Sequence, residues 1–257
     1  MPFETRMPDS FIAAYVNLTN LYRIFPGKGG YIIIVPRGNS WLISRQGTKL
    51  LSPTSRHLGV DMRQFEQRFE AFDKILEDDV VMDVGASIGD TTVPFALKAR
   101  KGFVYAVEPE PVNIRYLRLN TQNFNNVKVI GKAAWKEKGK IRLYVGETVT
   151  GHSLVMSNGN CIEVEADTID NMAEDFLPID VLKVDVQGVE LEALDGATET
   201  LKTAGRVIVE THVINGVSTA PKVIEKLKHE RLEIRSLTQE YHATHTAFQI
   251  IHATRPA

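Results

Sequence analysis

The stretch Val81-Met82-Asp83-Val84-Gly85-Ala86-Ser87-Ile88-Gly89-Asp90 decides the fold. A short apolar run enters a turn with two glycines and leaves it into a helical pattern, the order of a strand, a tight bend and a helix. Glycine tolerates the backbone angles of such a bend and lets another group approach the main chain closely. Outward from this stretch, apolar runs alternate with helical patterns. The runs are VVMDV at 80–84, GFVYAVE at 102–108, VKVIGKAA at 127–134, VLKVDV at 181–186 and RVIVET at 206–211. Helices are expected near 90–100, 111–123, 188–203 and 219–230. The runs are apolar on both faces, as in a parallel sheet covered by helices on each side. IRLYV and CIEVEA alternate in polarity and predict an added antiparallel pair. LEIRSL at 232–237 and AFQIIHA at 247–253 are joined by only nine residues, too few for a parallel crossover, so these strands should be antiparallel. The expected fold class is α/β with a Rossmann-like, mostly parallel sheet and a C-terminal antiparallel hairpin.

Residues 1–78 carry another pattern. Phe11, Tyr15, Leu18, Tyr22 and Phe25 recur on one helical face, with Asp9 or Ser10 placed to cap the helix and Pro26-Gly27 near its end. YIIIVP at 31–36 and SWLIS at 40–44, parted by Arg37-Gly38-Asn39, predict a hairpin. Phe65, Phe69, Phe72 and Leu76 predict a second helix over roughly 60–77. The expected organisation is a helix-hairpin-helix extension over 1–78, available to cover the core or to pair two subunits in a homodimer, and a ligand-binding domain over 79–257.

Composition narrows the classes. With 43% apolar and 24% charged residues the chain has the make-up of a globular protein. Thirty basic residues against 32 acidic ones leave no basic excess, so a nucleic-acid partner is not expected. The single cysteine, Cys161, excludes an intrachain disulfide and a cysteine metal cage, and fits a reducing, cytoplasmic setting. The first residues show no basic stretch followed by an apolar run, and no segment has the eighteen or so apolar residues of a spanning helix. The expectation is no export and no membrane anchor.

The bend itself suggests a cofactor. A helix amino terminus presents free amide donors, which suit a carboxylate-bearing ligand. The glycine spacing is G-x-x-x-G and not the dinucleotide G-x-G-x-x-G. A pyrophosphate needs the extra glycine, whereas a cationic sulfonium gains from a nearby carboxylate such as Asp83. The balance favours S-adenosylmethionine over NAD. Glu108 ends the second strand 19 residues beyond Gly89, where an acidic side chain can accept hydrogen bonds from both ribose hydroxyls of an adenosine. Asp83, Gly85, Ala86, Gly89 and Glu108 are thus candidate cofactor residues.

Four blocks in order, MDVGASIGDTT, VYAVEPEPVNIRYLRLNTQNF, LKVDVQGVELEALDGA and VIVETH, resemble the successive signatures of FkbM-type methyltransferases over about residues 79–212. The resemblance implies a class I methyltransferase fold and S-adenosylmethionine-dependent O-methylation, often of sugar or natural-product hydroxyls. It also implies that Asp83, Gly85 and Gly89 contact the methionine half, Glu108 the ribose, and that Ala133 and Ala134 lie near the adenine. The block after the fourth strand usually reads D-x-E-G-x-E in that family. Here Asp185, Gly188 and Glu190 match it and Gln187 replaces the first glutamate.

Substrate chemistry belongs at the carboxyl ends of the strands. Those ends present Asp185, Gln187, Glu210, His212 and the loop 238–246. Methyl transfer is an in-line displacement in which positioning dominates and a general base can help. Asp185, also counted among the cofactor residues, and His212 are the first choices for base or substrate orientation, since an unperturbed histidine titrates near neutrality. Glu190, in the first turn of the next helix, either complements the helix dipole or binds substrate. His242 and His245, with Glu240 or His212, could ligate a metal, but nothing fixes their geometry and none is assigned. His152-Ser153 either forms a polar turn or reaches the pocket. Lys132, Lys136, Lys138 and Lys140 around Trp135 alternate with Glu137 and read as a solvated hairpin end.

Two alternatives stay open. One is an RNA methyltransferase, since the E-P-E-P-x-N-x-x-x-L-x-x-N run occurs in such proteins too; the lack of an NPPF- or DPPY-like tetrapeptide after the fourth strand and the near-neutral charge argue against it. The other is a cofactor-binding module without turnover, motivated by Gln187 and the lack of a certain base. The substrate expected is a small molecule or glycan.

Overall fold

The structure, a computed structural model, describes residues 8, 10, 13–14, 32–45, 48–54, 74–144, 161–241 and 247–256. Strands β1 (Ile32–Arg37), β2 (Ser40–Arg45) and β3 (Thr48–Ser52) form an antiparallel sheet of their own. The expected hairpin is present, and β3 extends it. Ser10, Ala13 and Ala14 are helical, while most of the first expected helix and residues 60–73 of the second lie outside the described residues. Lys74, Ile75 and Leu76 are not helical.

The central sheet holds β4 (Val80–Val84), β5 (Phe103–Val107), β6 (Val127–Ile130), β10 (Val181–Val184), β11 (Arg206–Ile214), β13 (Glu233–Tyr241) and β14 (Ala247–Thr254). They lie in the order β13-β14-β11-β10-β4-β5-β6, with the two-residue β12 (Val217–Ser218) paired onto β11. From β11 to β6 all pairings are parallel; β14 runs antiparallel to both β11 and β13. The terminal hairpin is as the nine-residue connection required.

Helices cover both faces. They are α1 (Thr92–Lys98), α2 (Pro111–Thr121), α3 (Ile169–Ala173), α4 (Glu190–Asp195), α5 (Thr198–Thr203) and α6 (Ala220–His229). The two-residue period of the strands sorts the core. Met82, Val84, Leu182, Val184, Val207 and Val209 point to one side, against Leu194, Leu201, Val223 and Leu227 of the helices. Val81, Val104, Val181 and Ile208 point to the other, against Phe95, Ala96 and Phe248. Each such buried aliphatic side chain contributes roughly 1.5–3 kcal/mol before the entropy of ordering it.

Three sequence expectations change. VKVIGKAA is not one strand. It breaks at Gly131-Lys132, and β7 (Ala133–Ala134) joins β8 (Gly139–Tyr144) and β9 (Cys161–Asp167) in a separate sheet of order β7-β9-β8. The antiparallel pair expected there is β8 and β9, and β7 adds to it in parallel. The helix expected over 188–203 is split into α4 and α5. A Cβ at Gly196 would stand 2.2 Å from the Trp135 carbonyl oxygen, so the chain passes too close to its neighbour there for a continuous helix with side chains. Asp170 then caps α5, its carboxylate accepting from the amides of Glu199 and Thr200. The short helix α3 was not expected.

The small β1-β2-β3 sheet lies on α2. Asn120 exchanges both amide groups with the backbone of Leu51, at 2.7 and 2.9 Å, and also donates to the Ile88 carbonyl. The Ser40 and Tyr116 hydroxyls are 2.8 Å apart, and Ile34, Ile43 and Leu50 bury themselves against Ile88, Val93 and Tyr116.

Candidate functional site

Because β5 and β6 lie on one side of β4 and β10 and β11 on the other, the chain reverses its winding between β4 and β10. Open α/β sheets bind ligands at the carboxyl ends of strands flanking such a reversal. Gly85 and Asp185 meet there. Gly85 has φ +80, and a Cβ on it would stand 1.7 Å from the Asp185 carbonyl oxygen, so only glycine fits. Gly89 has φ +97 and lies against Leu117, while Ser87 between them also takes a positive φ of 49. The bend is anchored by the amides of Gly85 and Ala86, both donating to the Val107 carbonyl at 2.9 and 3.0 Å. The Ala86 side chain is buried with Ala106 and Leu117.

Glu108 follows β5 and faces this bend. Its carboxylate accepts from the Ser87 amide at 2.9 Å and from the Glu110 amide at 2.9 Å, with the Asn113 side-chain amide at 3.4 Å. Burial pushes its pKa up to about 7, against the lowering effect of these hydrogen bonds. Oε1 takes both the Glu110 amide and the Asn113 side-chain amide, whereas Oε2, bonded to the Ser87 amide, retains a second lone pair.

Asp83 is placed differently from the expectation of a carboxylate aimed at a sulfonium. It is fully buried, accepts from the Thr91 and Thr92 hydroxyls at 2.6 and 2.7 Å, and pairs with Lys183 Nζ at 3.0 Å. Lys183, on β10, also donates to the Gly85 carbonyl at 2.8 Å. Burial would lower the Lys183 pKa, but the Asp83, Asp185 and Asp90 carboxylates hold it above the ordinary lysine value. The Asp83 charge is therefore matched inside the fold, and Lys183 braces the glycine bend from beneath. Sequence reasoning missed Lys183 because a lysine inside an apolar run carries no sign of its partner.

Ala133 and Ala134 are also buried, paired in register with Ala166 and Asp167, and their methyl groups pack into protein. Two lysines of the basic turn beside them form ion pairs, Lys132 with Asp167 at 2.7 Å and Lys140 with Glu163 at 3.0 Å.

The other half of the crevice is the end of β10 and β11. Gln187 takes a left-handed φ of 54 and donates to Asp185 Oδ1 at 2.8 Å. A carboxylate in its place would set two negative charges at that distance, where the amide donates a hydrogen bond instead. Gly188, at φ +108, leaves no room for a Cβ beside Ile214. Glu190, fully buried at the start of α4, accepts from the Gly188 amide at 2.7 Å and from the Thr219 hydroxyl at 2.9 Å. It also lies 2.8 Å from His212 Nδ1. A carboxylate only accepts, so Nδ1 carries the proton. Nε2 is buried, without a hydrogen-bond partner, and 3.7 Å from Glu210 Oε1. Glu210 is 3% exposed and His212 5%. Burial alone would lower the His212 pKa; Glu190 first, then Asp185 and Glu210, raise it to about 9.

The structure therefore brings Asp83, Gly85, Ala86, Gly89 and Glu108 to one side of the crevice and Asp185, Glu190 and His212 to the other, with Glu210 added. His152, Ser153, His242 and His245 lie outside the described residues. A groove lined by Lys74, Ile75, Glu77, Leu97, Lys98 and Arg100 opens at the amino-terminal end of the strands, away from these groups. Among the described residues, no helix is long and apolar enough to cross a membrane.

This sheet order, with its glycine bend and terminal hairpin, defines a class I methyltransferase fold. The chain matches the FkbM methyltransferase domain over residues 83–241 and belongs to that family. A curated relative, the hexuronic acid methyltransferase AglP of Haloferax volcanii, is 31% identical over 157 residues; the match covers 60% of this chain and 63% of the relative's length. Among solved structures, methyltransferase FkbM from Methylobacillus flagellatus KT superposes with a TM-score of 0.51 at 16% identity, covering 70% of this chain and 45% of that one. TYW2 from M. jannaschii, solved with AdoMet, gives 0.51 at 16% identity over 87% of this chain and 90% of that one. Trm5b from Pyrococcus abyssi gives 0.55 at 13% identity over 99% and 71%. At these identities the structures share the fold with this chain.

Proposed function

We propose that this protein transfers the methyl group of S-adenosylmethionine to an oxygen of a sugar or other small hydroxylated molecule. The observation that carries the donor half is the strained glycine bend facing Glu108, with the Ser87 amide 2.9 Å from its carboxylate, at the winding reversal of an FkbM-family chain. In this reading the bend from Gly85 to Gly89 takes the methionine end and Glu108, chiefly through the spare lone pair of Oε2, accepts from the ribose hydroxyls. Ala133 and Ala134 line the adenine with backbone, their methyl groups being packed away. Asp83 acts indirectly, by fixing Lys183 and the bend.

The acceptor half lies at Asp185. An acceptor oxygen attacks the methyl carbon as the carbon–sulfur bond breaks, the bonding pair leaves with sulfur as S-adenosylhomocysteine, and the acceptor's proton must be taken up. His212 is an imidazolium at neutral pH with a pKa near 9 and is a poor acceptor for that proton. Asp185, whose carboxylate accepts from the Gln187 amide at the strand end, is the candidate base, and Glu190 and His212 position the rim. The hexuronic acid methyltransferase relative supports a sugar as acceptor. We further take residues 1–78 as an extension that covers the core, in keeping with the contacts of β1, β2 and β3 on α2.

The test is isothermal titration with S-adenosylhomocysteine, followed by transfer from labelled donor to hexuronic acids, neutral sugars and RNA. Binding, with transfer to the sugar set, is expected. Binding with transfer only to RNA would overturn the acceptor, and absence of binding the whole reading.

A further inference from the structure

The carboxylates of Asp185, Glu190 and Glu210 stand around one imidazole at the ends of β10 and β11, with Glu190 and Glu210 buried and Asp185 partly so. One ligand atom from each of Asp185, Glu210 and His212 lies within 4.8 Å of the others. Around a six-coordinate cation with bonds of about 2.1 Å, neighbouring ligands stand about 3 Å apart and opposite ones about 4.2 Å. Three ligands of one cation include at most one opposite pair, so the remaining separations must draw in towards about 3 Å when a cation binds.

The second observation concerns the histidine. His212 is 5% exposed, and its Nε2 is aimed at the Glu210 carboxylate without a hydrogen-bond donor or acceptor of its own. Its other nitrogen is tied to Glu190 at 2.8 Å, and Glu190 is in turn held by the Gly188 amide and the Thr219 hydroxyl. A carboxylate gripping the remote ring N–H is how proteins orient a metal-binding histidine and fix its tautomer. A buried histidine that served packing alone would find a partner for both nitrogens.

We propose that Asp185, Glu210 and His212 bind a divalent cation of the Mn2+ or Zn2+ type, which displaces the His212 Nε2 proton to solvent, with Glu190 as the residue that positions the imidazole. Two carboxylates and one imidazole suit such a cation, and leave open positions for water or an acceptor oxygen. Bound there, the cation would hold the acceptor hydroxyl and lower its pKa, sharing the task given to Asp185. This rests on the reading of the β10 and β11 ends as the acceptor half of the crevice.

The probe is Mn2+ alone, added to chelator-treated full-length protein and followed by the loss of its free electron paramagnetic resonance signal. The His212 ring resonance is followed in parallel. One site is expected, with the His212 ring broadened ahead of the other histidines. Glu210→Gln and Asp185→Asn, near-isosteric changes checked for folding by circular dichroism, should abolish it. Glu190→Gln should weaken it about tenfold or more. Zn2+ should displace the Mn2+. Absence of saturable Mn2+ binding in a protein that still binds S-adenosylhomocysteine overturns the cation site and leaves the donor site standing. Binding that broadens other histidines first, or survives in Glu210→Gln, also overturns it. Loss of S-adenosylhomocysteine binding from the untreated protein would strike at the methyltransferase reading instead.

Discussion

The two halves of the crevice handle buried charge in opposite ways. Beneath the glycine bend, one carboxylate meets one ammonium: Asp83 has Lys183 and two threonine hydroxyls. At the ends of β10 and β11, Glu190, Glu210 and Asp185 share one histidine. Burying an ion is costly unless it is paired, so a matched pair under a turn reads as scaffold, while several carboxylates gathered around one imidazole read as a site. The difference teaches where each half spends its residues. The bend rests on a paired carboxylate and ammonium, and the ends of β10 and β11 gather three carboxylates about an imidazole.

The sharpest way to break this contrast is to unbalance the balanced side. Lys183→Met leaves Asp83 buried and uncompensated, and should cost about 3 to 5 kcal/mol of unfolding free energy in urea titrations. Adding Asp83→Leu should recover most of that loss; if it does not, the pair is more than scaffold. Gly85→Ala forces a Cβ onto the Asp185 carbonyl at φ +80, and should destabilise by about 2 to 4 kcal/mol and abolish measurable S-adenosylhomocysteine binding. Glu108→Gln keeps the shape and loses the charge, and donor affinity should fall about tenfold.

Glu108 also sets a pH dependence. Its folded pKa of about 7 lies above the ordinary 4.5, so the unfolded chain gives up this proton first. Its contribution favours the fold below about 4.5 and is lost as pH rises towards 7. Donor affinity should move the other way, rising between pH 6 and 8 as the carboxylate ionises, and this rise should vanish in Glu108→Gln. His212 has the same sense for stability, in a higher pH window. With a folded pKa of about 9 against 6.5, its stabilising contribution is complete below 6.5 and is lost as pH climbs through 9. In chelator-treated protein, Glu190→Gln should lower the His212 pKa by about one unit or more, read from its ring proton shifts. Should the value stay near 9, Asp185 and Glu210 alone would account for the charge. At the small end, Lys140→Ala breaks a solvent-exposed pair with Glu163 and should leave both the melting temperature and donor binding unchanged.

Much of the donor half was legible beforehand. The bend with Gly85 and Gly89, and Glu108 one strand later, declare themselves by local spacing. The parallel run of strands shows in their two-sided apolar character, and the nine-residue link forces the final hairpin. The acceptor half was only partly legible. Asp185, Glu190 and His212 were found as strand-end or first-turn polar residues, yet their number around one imidazole was not. His212 looked like a neutral base because its reference pKa is near neutral; three carboxylates from separate segments make it a cation.

The chain alone determined the order of strands and helices, the place of the turn and the sense of the closing hairpin, because periodicity, glycine freedom and connection length act over a few residues. Only the tertiary structure decided that Asp83 faces Lys183 across two strands, that β7 leaves the main sheet, and that Gly196 splits a helix against Trp135. It also decided that the histidine stands among three carboxylates. Each of these depends on which segments meet across the sheet, where one group's burial and charge are set by partners about a hundred residues away in one case and a few dozen in the others.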